Sequence, residues 1–190
     1  MRFNPCRLLA ASLFVGLLGL AACSAGANLP PLPQTSTADY QLGAGDQVRI
    51  ITFADEQLTG EFRVNDNGTV ALPLLGAVKA VGLTPNQLAS EISDTLRSRN
   101  LYKDPSVSVE VIAYRPVFVL GEVTRPGQYP YQPGMTVVTA VAVAGGFTYR
   151  AVEDTASIVR SINGKPIEGR AERQTPVRPG DVITIYERSF

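Results

Sequence analysis

Hydrophobic and polar positions change rhythm several times along this chain, and each rhythm predicts an element. Gln47–Phe53 is rich in β-branched residues and follows the turn signal Gly43-Ala44-Gly45-Asp46, so it reads as a strand. Glu61–Val64 and Thr69–Leu72 flank Asp66-Asn67-Gly68, which supplies the positive-φ positions of a tight hairpin. The period then lengthens. Leu88, Ile92 and Leu96 recur every four residues over Thr84–Arg99, which predicts a helix with one apolar face. Thr84, Pro85 and Gln87 supply N-cap, first-turn proline and capping box. Ser106–Tyr114 alternates strictly, with Val107, Val109 and Val111 on one face, so it reads as a half-buried strand.

A second run uses the same grammar. Val117–Val123 reads as a strand and Arg125-Pro126-Gly127 as a turn. Thr136–Ala144 reads as a short helix stopped by Gly145-Gly146. Ala156–Arg160 reads as a strand and Asn163-Gly164 as a turn, and Arg178-Pro179-Gly180-Asp181 is a turn before the strand Val182–Tyr186. Two echoes join the halves. Leu75-Gly76-Ala77-Val78 resembles Leu120-Gly121-Glu122-Val123, and Gly45-Asp46 before Gln47–Ile50 resembles Gly180-Asp181 before Val182–Ile185. The predicted class is α+β, as two small mixed units over 39–115 and 116–190.

The first residues follow neither rhythm. Arg2 and Arg7 precede the uncharged run Leu8–Ala22, which is short against the roughly 20 apolar residues of a bilayer span. Basic start, apolar middle and small residues at the end describe a signal peptide over 1–22. Leu20-Ala21-Ala22-Cys23 resembles the bacterial lipobox, which makes Cys23 the expected lipid attachment point. Ser24 in the next position favours the outer membrane by the same lipoprotein rule. Residues 23–38 are small, polar and Pro-rich, and read as a lipidated tether of extended character, with folded structure expected from about Asp39–Tyr40.

Composition narrows the chemistry. The 190 residues carry 17 Lys+Arg and 17 Asp+Glu and contain no histidine. Without histidine there is no Ser-His-Asp triad, Cys-His dyad or His-ligated metal site. The balanced charge argues against a nucleic-acid partner. Removing residues 1–22 takes away both early arginines and Cys6, leaving a slightly acidic chain whose one cysteine is Cys23. A disulfide within that chain is then impossible. Glycosidases need two carboxylates facing a cleft, and no pair of acids here is spaced to demand that role. Asp46 and Asp181 fall in turns, where Asp bonds its own backbone. No phosphate loop or dinucleotide fingerprint is present. The sequence predicts neither an enzyme nor a bound metal or cofactor. Tyr129, Tyr131 and Tyr149 are candidate glycan contacts, with packing at sheet edges as the plainer reading.

These residues also carry a family resemblance. Tyr40–Ile50 around Gly45 and Asp46, then Val64–Gly76 around Gly68, Pro73 and Gly76, resembles the polysaccharide-export domain. Val119–Tyr129 around Gly121, Pro126 and Gly127, then Gly145-Gly146, Arg160 and Pro179-Gly180-Asp181, resembles the soluble-ligand-binding β-grasp domain. With the lipobox, the chain is similar to outer-membrane polysaccharide export lipoproteins of the Wza and GumB type. The resemblance implies a homo-oligomeric ring, lipid-anchored at the outer membrane and facing the periplasm. It would conduct capsular or exopolysaccharide from an inner-membrane assembly system, with a chain-length-determinant-type co-polymerase as partner. Wza-type members carry further modules and a C-terminal amphipathic helix. The sequence ends at Phe190 after the last predicted strand, so a short, GumB-like member is expected, without such a helix. The alternative is a monomeric periplasmic lipoprotein that binds a soluble ligand or glycan through the β-grasp unit.

Overall fold

The protein is described by a computed structural model, which defines residues 28–33, 40–53, 55–162 and 164–188. Its first unit is built on β1 (Gln47–Thr52), β2 (Asp55–Arg63) and β5 (Val107–Ala113), in the order β2-β1-β5 with both pairings antiparallel. A separate ribbon pairs β3 (Thr69–Leu72) with β4 (Gly76–Lys79). The helix α1 (Pro85–Ser98) starts as its sequence dictates. The Thr84 side chain accepts from the Gln87 amide, and the Gln87 side chain accepts from the Thr84 amide. It stops where Asn100 takes φ 56°, and Leu101 N–H returns to Leu96 O at 3.1 Å. Leu88, Ile92 and Leu96 are fully buried and meet Val48, Ile50, Leu58, Val70 and Leu72 in one core. Each such side chain contributes on the order of 1.5–3 kcal/mol by leaving water.

The second unit is a five-stranded sheet. It contains β6 (Val117–Gly121), β7 (Gly127–Tyr129), β8 (Ala151–Ile162), β9 (Lys165–Glu172) and β10 (Val182–Glu187). The order is β7-β6-β10-β8-β9, and only β6 and β10 pair in parallel. The helix α2 (Val137–Val143) lies on one face through Val137, Ala140 and Val141. Its end is set by Gly145 and Gly146, both with positive φ, whose amides bond the Ala142 and Val141 carbonyls. Val117, Val119, Ile158, Ile183 and Ile185 complete this second core.

The mixed, two-unit architecture matches the expected fold class, while several elements differ from the pattern-based reading. The sequence around Asn67-Gly68 makes a turn, yet only the isolated Val64–Val70 bridge closes it as a hairpin. The flanking strands pair elsewhere: β2 begins at Asp55 and runs along β1, and β3 pairs with β4. β8 spans twelve residues, far longer than the five expected. β4, β7 and β9 went unpredicted, since their short or polar sequences follow no two-residue apolar alternation. Signal peptide and Cys23 lie outside the described residues. The stretch expected to be a tether needs correction at Pro30–Leu32. Pro31 bridges in parallel to Arg170, and Leu32 is buried in the second core. An apolar side chain beside an open strand edge is better placed there than in water.

Candidate functional site

Where the two units meet, their polar residues converge. The Gly43–Asp46 turn aims the Asp46 carboxylate inward, and Asp46 has no exposed surface. Its Oδ2 accepts from the Gly43 amide at 2.7 Å and from the Tyr40 hydroxyl at 2.5 Å. Its Oδ1 accepts from the Arg115 amide at 2.8 Å. The Arg115 guanidinium donates to Asp46 Oδ2 at 3.1 Å and to the Tyr40 oxygen at 3.0 Å. A Cβ on Gly43 would sit 2.0 Å from Arg115 Nη1, so a larger residue there would push the guanidinium off its place beside Asp46.

The second unit repeats the turn. Asp181 Oδ2 accepts from the Arg178 amide at 2.7 Å, three residues back, as Asp46 does from Gly43. Arg160 then grips the carboxylate through both oxygens, at 3.0 Å from Nε and 2.6 Å from Nη2. The pair is buried, with side chains 7% and 1% exposed. Two backbone bonds tie the turn to the start of the second unit, at Pro116 and in β6. Gly180 N–H donates to Pro116 O, and Phe118 N–H to Asp181 O. Arg115 also packs on Gly180, where a Cβ would lie 2.8 Å from its Nε. One arginine therefore contacts the Asp turn of each unit.

Tyrosines complete the junction. Tyr40 and Tyr114 meet edge to face at 5.0 Å, and Tyr114 meets Tyr131 at 5.3 Å. Burial, then the hydrogen bond to Asp46, raises the Tyr40 hydroxyl well above its ordinary 10.0. Burial and Tyr114 raise Tyr131. Burial, then Arg160, lowers Arg178. For Tyr40 the linkage has a definite sign. Above pH 10 the unfolded chain gives up the Tyr40 proton while the folded chain keeps it, so stability present below pH 10 is lost as pH rises. The slope from this group rises through pH 10 toward an upper bound of about 1.4 kcal/mol per pH unit, reduced by the water that reaches the half-buried ring. Urea midpoints between pH 9 and 11 measure it, and Tyr40→Phe should flatten the curve; an unchanged curve would exclude Tyr40 as its source.

The remaining singled-out residues are scattered. Gly68 carries φ 78°, and its carbonyl accepts from the Ala80 and Val81 amides. Pro73 lies exposed at the β3–β4 tip, next to Leu74 with φ 61° and Gly76 with φ 74°. Gly121 ends β6, and Pro126-Gly127 leads into β7. Gly145 and Gly146 meet this turn, with Thr124 N–H on Gly146 O and Arg125 N–H on Ala144 O. Pro179 is buried beside Gly180 and Asp181. The three tyrosines do not form one surface. Tyr129 packs on the core and donates to Arg125 O, Tyr131 joins the aromatic row, and Tyr149 alone is 87% exposed. Pattern reading missed Tyr40, Tyr114 and Arg115 as members of the junction. The dipeptide Arg115-Pro116 marked only a boundary, although it delivers the arginine that both Asp turns contact.

Chemically, this junction holds the units together. Asp46 and Asp181 are both saturated with donors and buried, so neither carboxylate is placed to take a proton from a substrate. A shallow groove between α1 and β5 offers Asn86, Ser90, Ser93, Asp94, Arg97 and Ser108, groups suited to weak hydrogen bonding. Among the described residues, no acidic or cysteine cluster is placed to hold a metal ion. No described helix is long and apolar enough to cross a membrane.

Comparison with known proteins places this geometry. Residues 34–112 match the polysaccharide biosynthesis/export protein family, and residues 116–171 match the SLBB domain. The exopolysaccharide production protein ExoF of Rhizobium meliloti is 36% identical over 148 residues, covering 71% of this chain and 34% of the relative. The EPS I polysaccharide export outer membrane protein EpsA of Ralstonia solanacearum is 34% identical, covering 80% of this chain and 42% of its own. The capsule polysaccharide export outer membrane protein CtrA of Neisseria meningitidis is 30% identical over 67% of this chain and 34% of its own. The chain thus spans about a third to two fifths of these curated relatives. The family's members are export proteins rather than enzymes, in agreement with the sequence reading. With an export domain followed by an SLBB domain, the chain belongs to the polysaccharide biosynthesis/export protein family.

Proposed function

We propose that this chain serves the export of capsular or exopolysaccharide as the subunit of a homo-oligomeric, ring-shaped conduit. In this reading Cys23 carries lipid that holds the ring at the outer membrane, facing the periplasm. The polymer arrives from an inner-membrane assembly system, with a chain-length-determinant-type co-polymerase as the expected partner. The observation that carries the reading is the ordered pair of domains in a chain whose relatives are named for polysaccharide export. The junction supports it physically. A conduit subunit needs a fixed angle between its units more than it needs a reactive group, and here Arg115, held by Asp46 in the first unit, packs on Gly180 of the second while Tyr114 meets Tyr131. Conduction requires weak contact at many places, which suits hydroxyl-lined grooves better than one deep pocket.

The test is a strain lacking the chain, with the polymerising machinery intact. Surface polysaccharide should disappear while the machinery remains present; normal surface polysaccharide would overturn the export role. Native mass spectrometry of detergent-extracted protein tests the ring. A closed oligomer is expected, and monomer under every lipid condition would return the chain to the ligand-binding alternative.

A further inference from the structure

The stretch before the first unit does not run freely to it. Leu29-Pro30-Pro31-Leu32-Pro33 is proline-rich, so its backbone is extended before it meets anything and loses little freedom on docking. It lies along β9, the outer strand of the second sheet. Arg170 N–H donates to Pro30 O at 2.8 Å, and Leu32 N–H donates to Arg170 O at 3.0 Å. Pro31 bridges Arg170 in parallel, so its missing N–H falls on the side away from β9, where no ladder bond is lost. Leu32 is 8% exposed and packs into the second core.

β9 is shaped to receive it. Gly169 faces the same side, and a Cβ there would lie 2.6 Å from Leu32 Cα and 2.9 Å from Leu32 N. Backbone cannot yield that distance, so any side chain at 169 displaces the segment. Gly169 has no positive φ, so its smallness serves close approach rather than a turn. Strand addition to a sheet edge, with one side chain in an apolar socket, is a general way to hold an extended segment.

We infer that residues 30–32 are a strap, docked in the Gly169 notch of β9, that ties the N-terminal leader to the second unit. A lipid or other tether at Cys23 is then held within seven residues of β9, at most about 25 Å of extended chain. Anchoring force passes to the second unit first, although the leader is joined in sequence to the first. Where Cys23 is read as lipidated this rests on the function proposed above; docking itself does not.

The test uses the chain from Cys23 onward, coupled through Cys23 to maleimide-headgroup lipid in phosphatidylcholine vesicles, so the result is independent of lipidation in the cell. An azide-bearing residue at Glu168 carries a donor dye, and a rhodamine lipid in the vesicle is the acceptor. Hydrogen exchange follows the Leu32 and Arg170 amides, with Ile158 as an internal control. Strong protection of both amides is expected in the native chain. Gly169→Val, and separately Leu32→Asp, should raise their exchange at least tenfold, leave Ile158 protected, and lower energy transfer at least twofold. Leu32→Asp leaves β9 intact and serves if Gly169→Val fails to fold. Free-peptide exchange at both amides in the native chain, or unchanged transfer after release, would overturn the strap. Protection that depends on protein concentration would place it on a second copy and overturn it equally.

Discussion

Replacing Asp181 with alanine is expected to cost about 3–5 kcal/mol of stability, because it strands the buried Arg160 guanidinium. Both carboxylate oxygens are engaged by Arg160, and the Arg178 amide loses its acceptor as well. Water cannot compensate, since the Arg160 and Asp181 side chains are nearly excluded from it. Urea unfolding reads the effect as a lowered midpoint. Asp154→Ala is the control: its carboxylate is 90% exposed and only 4.0 Å from Arg173, so a change within about 0.5 kcal/mol is expected. The double variant Arg160→Met with Asp181→Leu should recover part of the loss, since no charge is left stranded. A near-neutral Asp181→Ala would show that the pair is not buried in solution.

Gly121→Ala should cost about 2–5 kcal/mol. The residue holds φ 81°, which costs a side-chain-bearing residue roughly 1–2 kcal/mol. Its Cβ would also lie 2.0 Å from the Ile185 carbonyl oxygen. That oxygen accepts the Glu122 amide at 3.0 Å, so the end of the β6–β10 pairing must move, adding about 1–3 kcal/mol. Gly76 occupies the echoing position with φ 74°, but a Cβ there meets nothing within 4 Å. Gly76→Ala should therefore cost only about 1–2 kcal/mol. The difference between the two variants, measured by urea unfolding, isolates the overlap from the backbone strain. Equal losses would mean that Ile185 moves aside freely.

Local signals made α1 legible down to its cap, because Thr84, Pro85, Gln87 and the four-residue apolar spacing all act within one segment. The Gly-Asp turns were legible for the same reason: Asp46 and Asp181 each bond an amide three residues away. What escaped depends on distance along the chain. Lys165-Pro-Ile-Glu-Gly-Arg-Ala-Glu172 has almost no apolar rhythm, and it becomes a strand because β8 pairs along its whole length. Arg115 is 69 residues from Asp46, and Arg160 is 21 from Asp181, so neither partner is written beside its turn. The strap was read as polar tether because three prolines flank two leucines, and the socket for Leu32 lies near Gly169.

The aromatic row at the junction gives the protein an optical gauge of its own. The chain has seven tyrosines and no tryptophan, so its ultraviolet signal is not masked by indole. Tyr40, Tyr114 and Tyr131 sit ring against ring across the meeting of the units, and Tyr40 is hydrogen-bonded to a carboxylate. Near-ultraviolet circular dichroism depends on such fixed ring packing. A hinge that opened between the units would erase much of that band while the far-ultraviolet signal of the strands persisted. Flexing between the two units can thus be followed without attaching a label.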